Sequence, residues 1–109
     1  MDQLKRELIK FQAERDWRKF HTPENLAKSI SIESAELLEH FQWGNEYNLE
    51  DVSEELADVL IYCIYMADAL DLDIKKIILN KMKKNAIKYP VDKAKGNAKK
   101  YKEFEHDSL

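Results

Sequence analysis

The stretch NLEDVSEELADVLIYCIYMADAL, residues 48–70, decides how this chain folds. Asn48 suits a helix N-cap, because its side-chain oxygen can accept a bond from an otherwise orphaned backbone N–H. After it, Val52, Glu55, Val59, Tyr62 and Met66 recur at three- and four-residue steps, the period of one helix face. Asp58 falls beside Glu55. A stripe that should be apolar thus carries carboxylates, which are costly there unless paired or metal-bound. The far side is apolar too: from Leu56 to Ala67 only Asp58 is charged, and Leu60, Ile61 and Ile64 point away from the carboxylate face. A helix apolar nearly all round needs cover on more than one side. A homo-oligomer, dimer or tetramer, is therefore expected to bury it; the alternative is cover by the first helix alone.

Upstream the same pattern repeats. Thr22-Pro23-Glu24 reads as an N-cap, a proline at the first helical position and an early acid. The helix it opens is expected to run to about Trp43, stopped by Gly44-Asn45. Leu26, Ile30, Leu37 and Phe41 form its apolar stripe, with Glu33 at the edge and Ser29, Glu36, His40 and Trp43 just beyond. Glu33-x-x-Glu36 and Glu55-x-x-Asp58 are thus matching pairs, each with its members on one helix face, about 5–6 Å apart. Two bare charges at that spacing repel by roughly 3 kcal/mol at an effective dielectric near 20. If the two helices pack antiparallel, four acids converge, and a cation between them offsets the repulsion. Oxygen-only ligands suit Mg²⁺, with Mn²⁺ as a substitute. Di-iron bundles use Glu-x-x-His motifs, and none occurs here.

Outward from these helices the rest falls into place. A first helix is expected over residues 2–15 on the stripe Leu4, Leu8, Ile9 and Phe11, then a short aromatic connection to His21. A fourth helix is capped by Asp71 or Asp73 and reaches Lys88, since Pro90 forbids more. Only two glycines and two prolines accompany 36% charged residues, the composition of an all-α domain. The expected organisation is a helical domain over 1–90 and a basic tail over 91–109, partly ordered.

The net charge of −3 hides an asymmetry. Residues 22–73 hold thirteen acids and one base, Lys28, whereas residues 74–102 hold eleven lysines and one acid, Asp92. Lys81, Asn85 and Lys88 share a face with Ile74, Ile78 and Tyr89, where they could meet phosphates as point charges. Basic-tail binding to nucleic acid is not expected, because exposed aromatics are nearly absent there apart from Tyr101 and Phe104. The lone Cys63 excludes an intrachain disulfide and is expected to be inert packing. No apolar run reaches the roughly 18 residues that a membrane span needs. With no signal-peptide pattern at the N-terminus either, cytoplasmic location is the expectation. Trp17, Phe20, His21 and Trp43 flank the second helix near the acidic face, where flat rings with polar edges could hold a base. Tyr62, one turn after Asp58, could aim its hydroxyl at a sugar; core filling is the ordinary alternative for all of these. Glu39, Glu46, Glu50 and Asp68 fall where solvated surface is expected.

Four segments in order carry a family resemblance: ERDWRKFHTPENL (14–26), ESAELLEHFQW (33–43), EELADVLIY (54–62) and NAIKYP (85–90). Together they resemble the MazG-like all-α nucleoside triphosphate pyrophosphohydrolases, in the dCTP pyrophosphatase branch. The resemblance implies an oligomeric four-helix fold that hydrolyses dNTP to dNMP and pyrophosphate with Mg²⁺, a task of nucleotide-pool house-cleaning. It implies metal ligands at Glu33, Glu36, Glu55 and Asp58, and nucleotide contacts at Trp17, Phe20, His21, Trp43 and Tyr62. Asn85, Lys88 and Tyr89 match its C-terminal motif, with Lys81 beside them on the phosphate side. Leu8 stands where the family pattern has a histidine, which leaves base preference open. The rival reading is a non-catalytic helical module that binds nucleotide or a protein partner in the same groove.

Overall fold

The computed structural model describes residues 1–96. It contains five helices: α1 (Asp2–Glu14), α2 (Pro23–Glu39), α3 (Leu49–Ala69), α4 (Ile74–Lys88) and α5 (Val91–Ala94). No strand occurs among the described residues, as the composition requires. None of these helices is long and apolar enough to cross a membrane. The chain divides into two compact units, Met1–Leu72 and the segment from Asp73 onward.

The helix starts follow local chemistry. Thr22 Oγ1 accepts from the Asn25 N–H at 3.2 Å, Asn48 Oδ1 from the Asp51 N–H at 3.0 Å, and Asp73 Oδ1 from the Lys76 N–H at 2.9 Å. Each bond satisfies one of the donors that a helix start leaves over. Asp73, rather than Asp71, therefore caps α4. Asp71 has another task. It sits at φ 53, as does Asp16, and each is the left-handed residue just past a helix end. After α1, Trp17 N–H reaches back to Gln12 O and Asp16 N–H to Ala13 O, both at 3.1 Å. After α3, Leu72 N–H bonds Ala67 O at 2.8 Å and Asp71 N–H bonds Asp68 O at 3.0 Å. These are paired Schellman closures, with aspartate where glycine is usual.

In the first unit, α2 packs along α3, and α1 covers part of α3 from another side. The core is small: Leu26 is fully buried, with Ile64, Tyr65 and Ala67. Tyr65 ties α1 to α3 by donating its hydroxyl to the Leu8 carbonyl at 3.0 Å. Asp68, expected on solvated surface, is instead drawn in between Lys5 and Arg18, at 3.8 Å from each. α1 shields only one side of α3, and Leu56 and Leu60 remain exposed.

Two boundaries differ from expectation. α2 ends at Glu39, not near Trp43. Phe41 N–H bonds Leu38 O, Gln42 N–H bonds Glu39 O and Gly44 N–H bonds Phe41 O, so the chain tightens into three-residue turns. Phe41 then turns toward Tyr47, with ring centroids 5.1 Å apart, and Gly44 at φ 129 completes the reversal. In the second unit, Pro90 ends α4 as expected but also serves as the N-cap of the short α5, a role that its missing N–H permits. Residues 97–109, which include Tyr101 and Phe104, lie outside the described residues.

Candidate metal and nucleotide site

Packing of α2 along α3 brings the two acidic motifs together. One carboxylate oxygen each from Glu33, Glu55 and Asp58 lies within 4.8 Å of the others. Glu33 and Glu55 are half-buried and Asp58 is exposed, which leaves one side open. Glu36 hydrogen-bonds with both Glu33 and Glu55, although it lies outside the tightest triad.

Charge is crowded here. Burial pushes Glu33 above the usual carboxylate range, with Glu36 and Asp58 adding to the rise and the bond to Glu55 opposing it. Glu55 is pushed up to about 7, first by its hydrogen bond with Glu36, then by burial and by Glu33. Carboxylates this close cannot all ionise cheaply, so one holds a proton near neutrality. Glu33 Oε2 is buried and has no hydrogen-bond partner. An orphaned carboxylate oxygen aimed among other carboxylates is what a cation would satisfy. The donor set, all hard oxygens, fits Mg²⁺ or Mn²⁺.

Beside the acids runs a chain of rings. Phe11 meets Trp17 edge-on at 5.8 Å, Trp17 meets His21 at 6.2 Å, and His21 meets Tyr62 at 6.2 Å and Tyr65 at 5.1 Å. Tyr62 links this cluster to the acids: burial raises its phenol, and Glu33, Asp58 and Glu36 raise it further through their charge. Of the aromatics expected to hold a nucleotide, Trp17, His21 and Tyr62 therefore assemble next to the carboxylates.

Two do not. Phe20 faces solvent, with Lys19 Nζ 5.3 Å from its ring centre. Trp43 is 92% exposed in the turn after α2, because that helix stops one turn short of it. Lys81, Asn85, Lys88 and Tyr89 belong to the second unit, on α4 and its C-cap; Asn85 and Tyr89 are half-buried, Lys81 and Lys88 exposed. Cys63, expected in the packing, is exposed.

Sequence reasoning missed Gln12, the one buried polar side chain among the described residues, 3% exposed. Its amide meets His21 at 2.6 Å. It also missed Tyr65 as the ring under His21. Gln12 shares a helix face with Leu8 and Ile9, and a glutamine on an apolar face was the available signal.

The MazG-like family model matches residues 28–104. The dCTP pyrophosphatase 1 proteins of Rattus norvegicus and Homo sapiens are each 34% identical over 119 residues, which takes in 100% of this chain and 70% of theirs. A pyrophosphatase crystal structure from Archaeoglobus fulgidus superposes with a TM-score of 0.76 at 44% identity, over 83% of this chain and 92% of that one. A match over most of the chain, to relatives of this identity, shows that the chain belongs to the MazG-like family.

Proposed function

We propose that this chain is a Mg²⁺-dependent nucleoside triphosphate pyrophosphohydrolase that converts a dNTP to dNMP and pyrophosphate. The observation that carries the proposal is the triad Glu33, Glu55 and Asp58 within 4.8 Å, with Glu33 Oε2 buried and unpartnered. Glu33, Glu36, Glu55 and Asp58 are the assigned catalytic set, and Mn²⁺ is the expected substitute ion. dCTP, or a modified dCTP, heads the candidate substrates because the similar rat and human proteins are named for it.

A divalent cation held by these carboxylates supplies charge neutralisation and polarises the phosphate oxygens. Glu36, next to the triad but outside it, takes the proton of the attacking water. The oxygen of that water bonds to the α-phosphorus, the bond from that phosphorus to the bridging oxygen breaks, and pyrophosphate departs with the electron pair. Trp17, His21 and Tyr62 hold the nucleoside half by stacking and hydrogen bonding. In the second unit, Asn85, Lys88 and Tyr89 match the family's C-terminal motif and Lys81 shares their helix face; these four are the candidates for phosphate contact.

Leu38, Leu56 and Leu60 are exposed on α2 and α3. We assign that surface to a homodimer or homotetramer contact, in which Trp43 and Phe20 also find cover. Cytoplasmic location belongs to the same reading.

Product analysis over the four dNTPs and four NTPs tests the proposal. Pyrophosphate and monophosphate are expected in the presence of Mg²⁺; inorganic phosphate as the product, or nucleotide binding without turnover, would overturn it. Glu36→Gln and Asp58→Asn are each expected to abolish pyrophosphate release.

A further inference from the structure

Gln12 reaches from α1 into the aromatic cluster, 97% shielded from solvent by its 3% exposure, and its side-chain nitrogen lies 2.6 Å from His21 Nδ1. A neutral amide nitrogen only donates. With that nitrogen facing the ring, Nδ1 is the acceptor, and the single proton of the neutral imidazole is assigned to Nε2. Burial holds His21 below the usual histidine range, which keeps the ring neutral at ordinary pH.

The surroundings hold the ring in place. His21 N–H bonds Arg18 O at 3.2 Å and Phe20 N–H bonds Trp17 O at 2.9 Å, so the segment leading to the ring is a run of tight turns. Tyr65 lies against the ring at 31°, while Trp17 and Tyr62 meet it edge-on. The titratable groups facing it are Tyr62 and Tyr65 from α3, and both phenols are raised, chiefly by burial. Arg15, at the end of α1, acts on Tyr65. No carboxylate bonds the imidazole among the described residues. Nε2 has no hydrogen-bond partner there either, and the residue is half-buried, so this N–H is available to a ligand. Tyr62 also lies near enough to Glu33, Asp58 and Glu36, the acids that would hold the cation, to feel their charge.

We propose that Gln12 is a positioning residue for nucleoside recognition: its amide fixes His21 as the Nε2–H tautomer, so that the imidazole presents the nucleoside half of the substrate with a hydrogen-bond donor and not an acceptor. The proposal rests on the pyrophosphohydrolase reading for the identity of the ligand. The complementary group is an uncharged acceptor, a base carbonyl or a sugar oxygen. With the amide nitrogen toward the ring, the Nδ1–H tautomer would set two donors against each other.

The test combines a spectrum with kinetics on the full chain. Ring-nitrogen chemical shifts in ¹⁵N-labelled protein, assigned with His21→Gln, are expected to show a single Nε2–H tautomer at about pH 7.5. Gln12→Glu replaces the donor by an acceptor-only group, so neutral His21 moves its proton to Nδ1. Imidazolium carries Nε2–H in either case. The ratio of variant to wild-type KM for the dNTP is therefore expected to lie near 1 at about pH 6.5, where the variant's imidazole is protonated, and near tenfold at about pH 9, with kcat within about twofold throughout. Gln12→Met should give mixed tautomers and a smaller KM rise at all pH values. A wild-type Nδ1–H spectrum overturns the proposal, even if no variant folds. So does a KM ratio that stays flat with pH. If the chain turns over no nucleotide, the pyrophosphohydrolase reading fails separately, and the same ratio taken from dissociation constants of dNTP decides the role of Gln12.

Discussion

Affinity for divalent metal should depend on pH in a way set by Glu55. Its carboxyl is held up to about 7 in the ion-free protein, so a cation entering the triad must displace a proton. At about pH 8 roughly nine-tenths of these carboxyls are ionised, and at about pH 6 roughly one-tenth. Apparent Mg²⁺ affinity is thus expected to fall about tenfold between those values from this proton alone. The sign for stability follows. A carboxyl raised on folding contributes stability that is complete below its ordinary range near 4.5 and is lost as pH rises through about 7. Ion-free protein should lose melting temperature across that window, and saturating Mg²⁺ should remove the loss. Titration calorimetry in buffers of different ionisation enthalpy reads both the affinity and the proton released, expected near one per ion at about pH 6. Glu55→Gln should weaken binding and flatten its pH dependence. Equal affinity at the two pH values, or stronger binding at the lower one, would refute the placement of Glu55 in the triad.

Three further outcomes test the fold around the site. Tyr65→Phe removes the hydroxyl bond to Leu8 O and should cost about 0.5–1.5 kcal/mol in a denaturant titration with little change in slope. Asp71→Gly relieves the left-handed backbone after α3 and should raise stability by up to about 1 kcal/mol; a loss would mean that the aspartate side chain contributes more than its backbone costs. Leu60→Asp places a charge on the exposed apolar side of α3, and light scattering after gel filtration should show a smaller species than wild type. An unchanged mass would remove that face from the subunit contact.

The site becomes shared by distance rather than by motif. Glu33 and Glu55 come from helices joined through a turn that reverses the chain at Gly44, and Tyr62 both meets His21 and feels the charge of the acids. One small unit therefore holds both a candidate phosphate end and a candidate nucleoside end. The aspartates at the ends of α1 and α3 do comparable work. Asp16 turns the chain so that Trp17 follows directly on Gln12, which allows α1 to supply both rings and amide to one cluster.

Much of this was legible in the residues. The helices, the caps Thr22, Asn48 and Asp73, and the acids Glu33 and Glu55 on inward stripes all follow from spacing at 3.6 residues per turn, because periodicity and capping are local properties. Even the stop at Pro90 needs no tertiary knowledge. Where α2 ends, which rings share a niche, and that Asp68 is drawn between Lys5 and Arg18 were settled only by packing. His21 is half-buried and Trp17, itself 41% exposed, packs edge-on against it, whereas Phe20 and Trp43 face solvent outside that cluster, although all four look alike as aromatic residues beside an acidic helix. Gln12 shows the difference best: its letters say only glutamine on an apolar face, and its partner is nine residues away across a turn. Local sequence determines what each helix offers, whereas the contact between α1 and α3 determines which of those groups meet, because that contact depends on side chains brought together from distant parts of the chain.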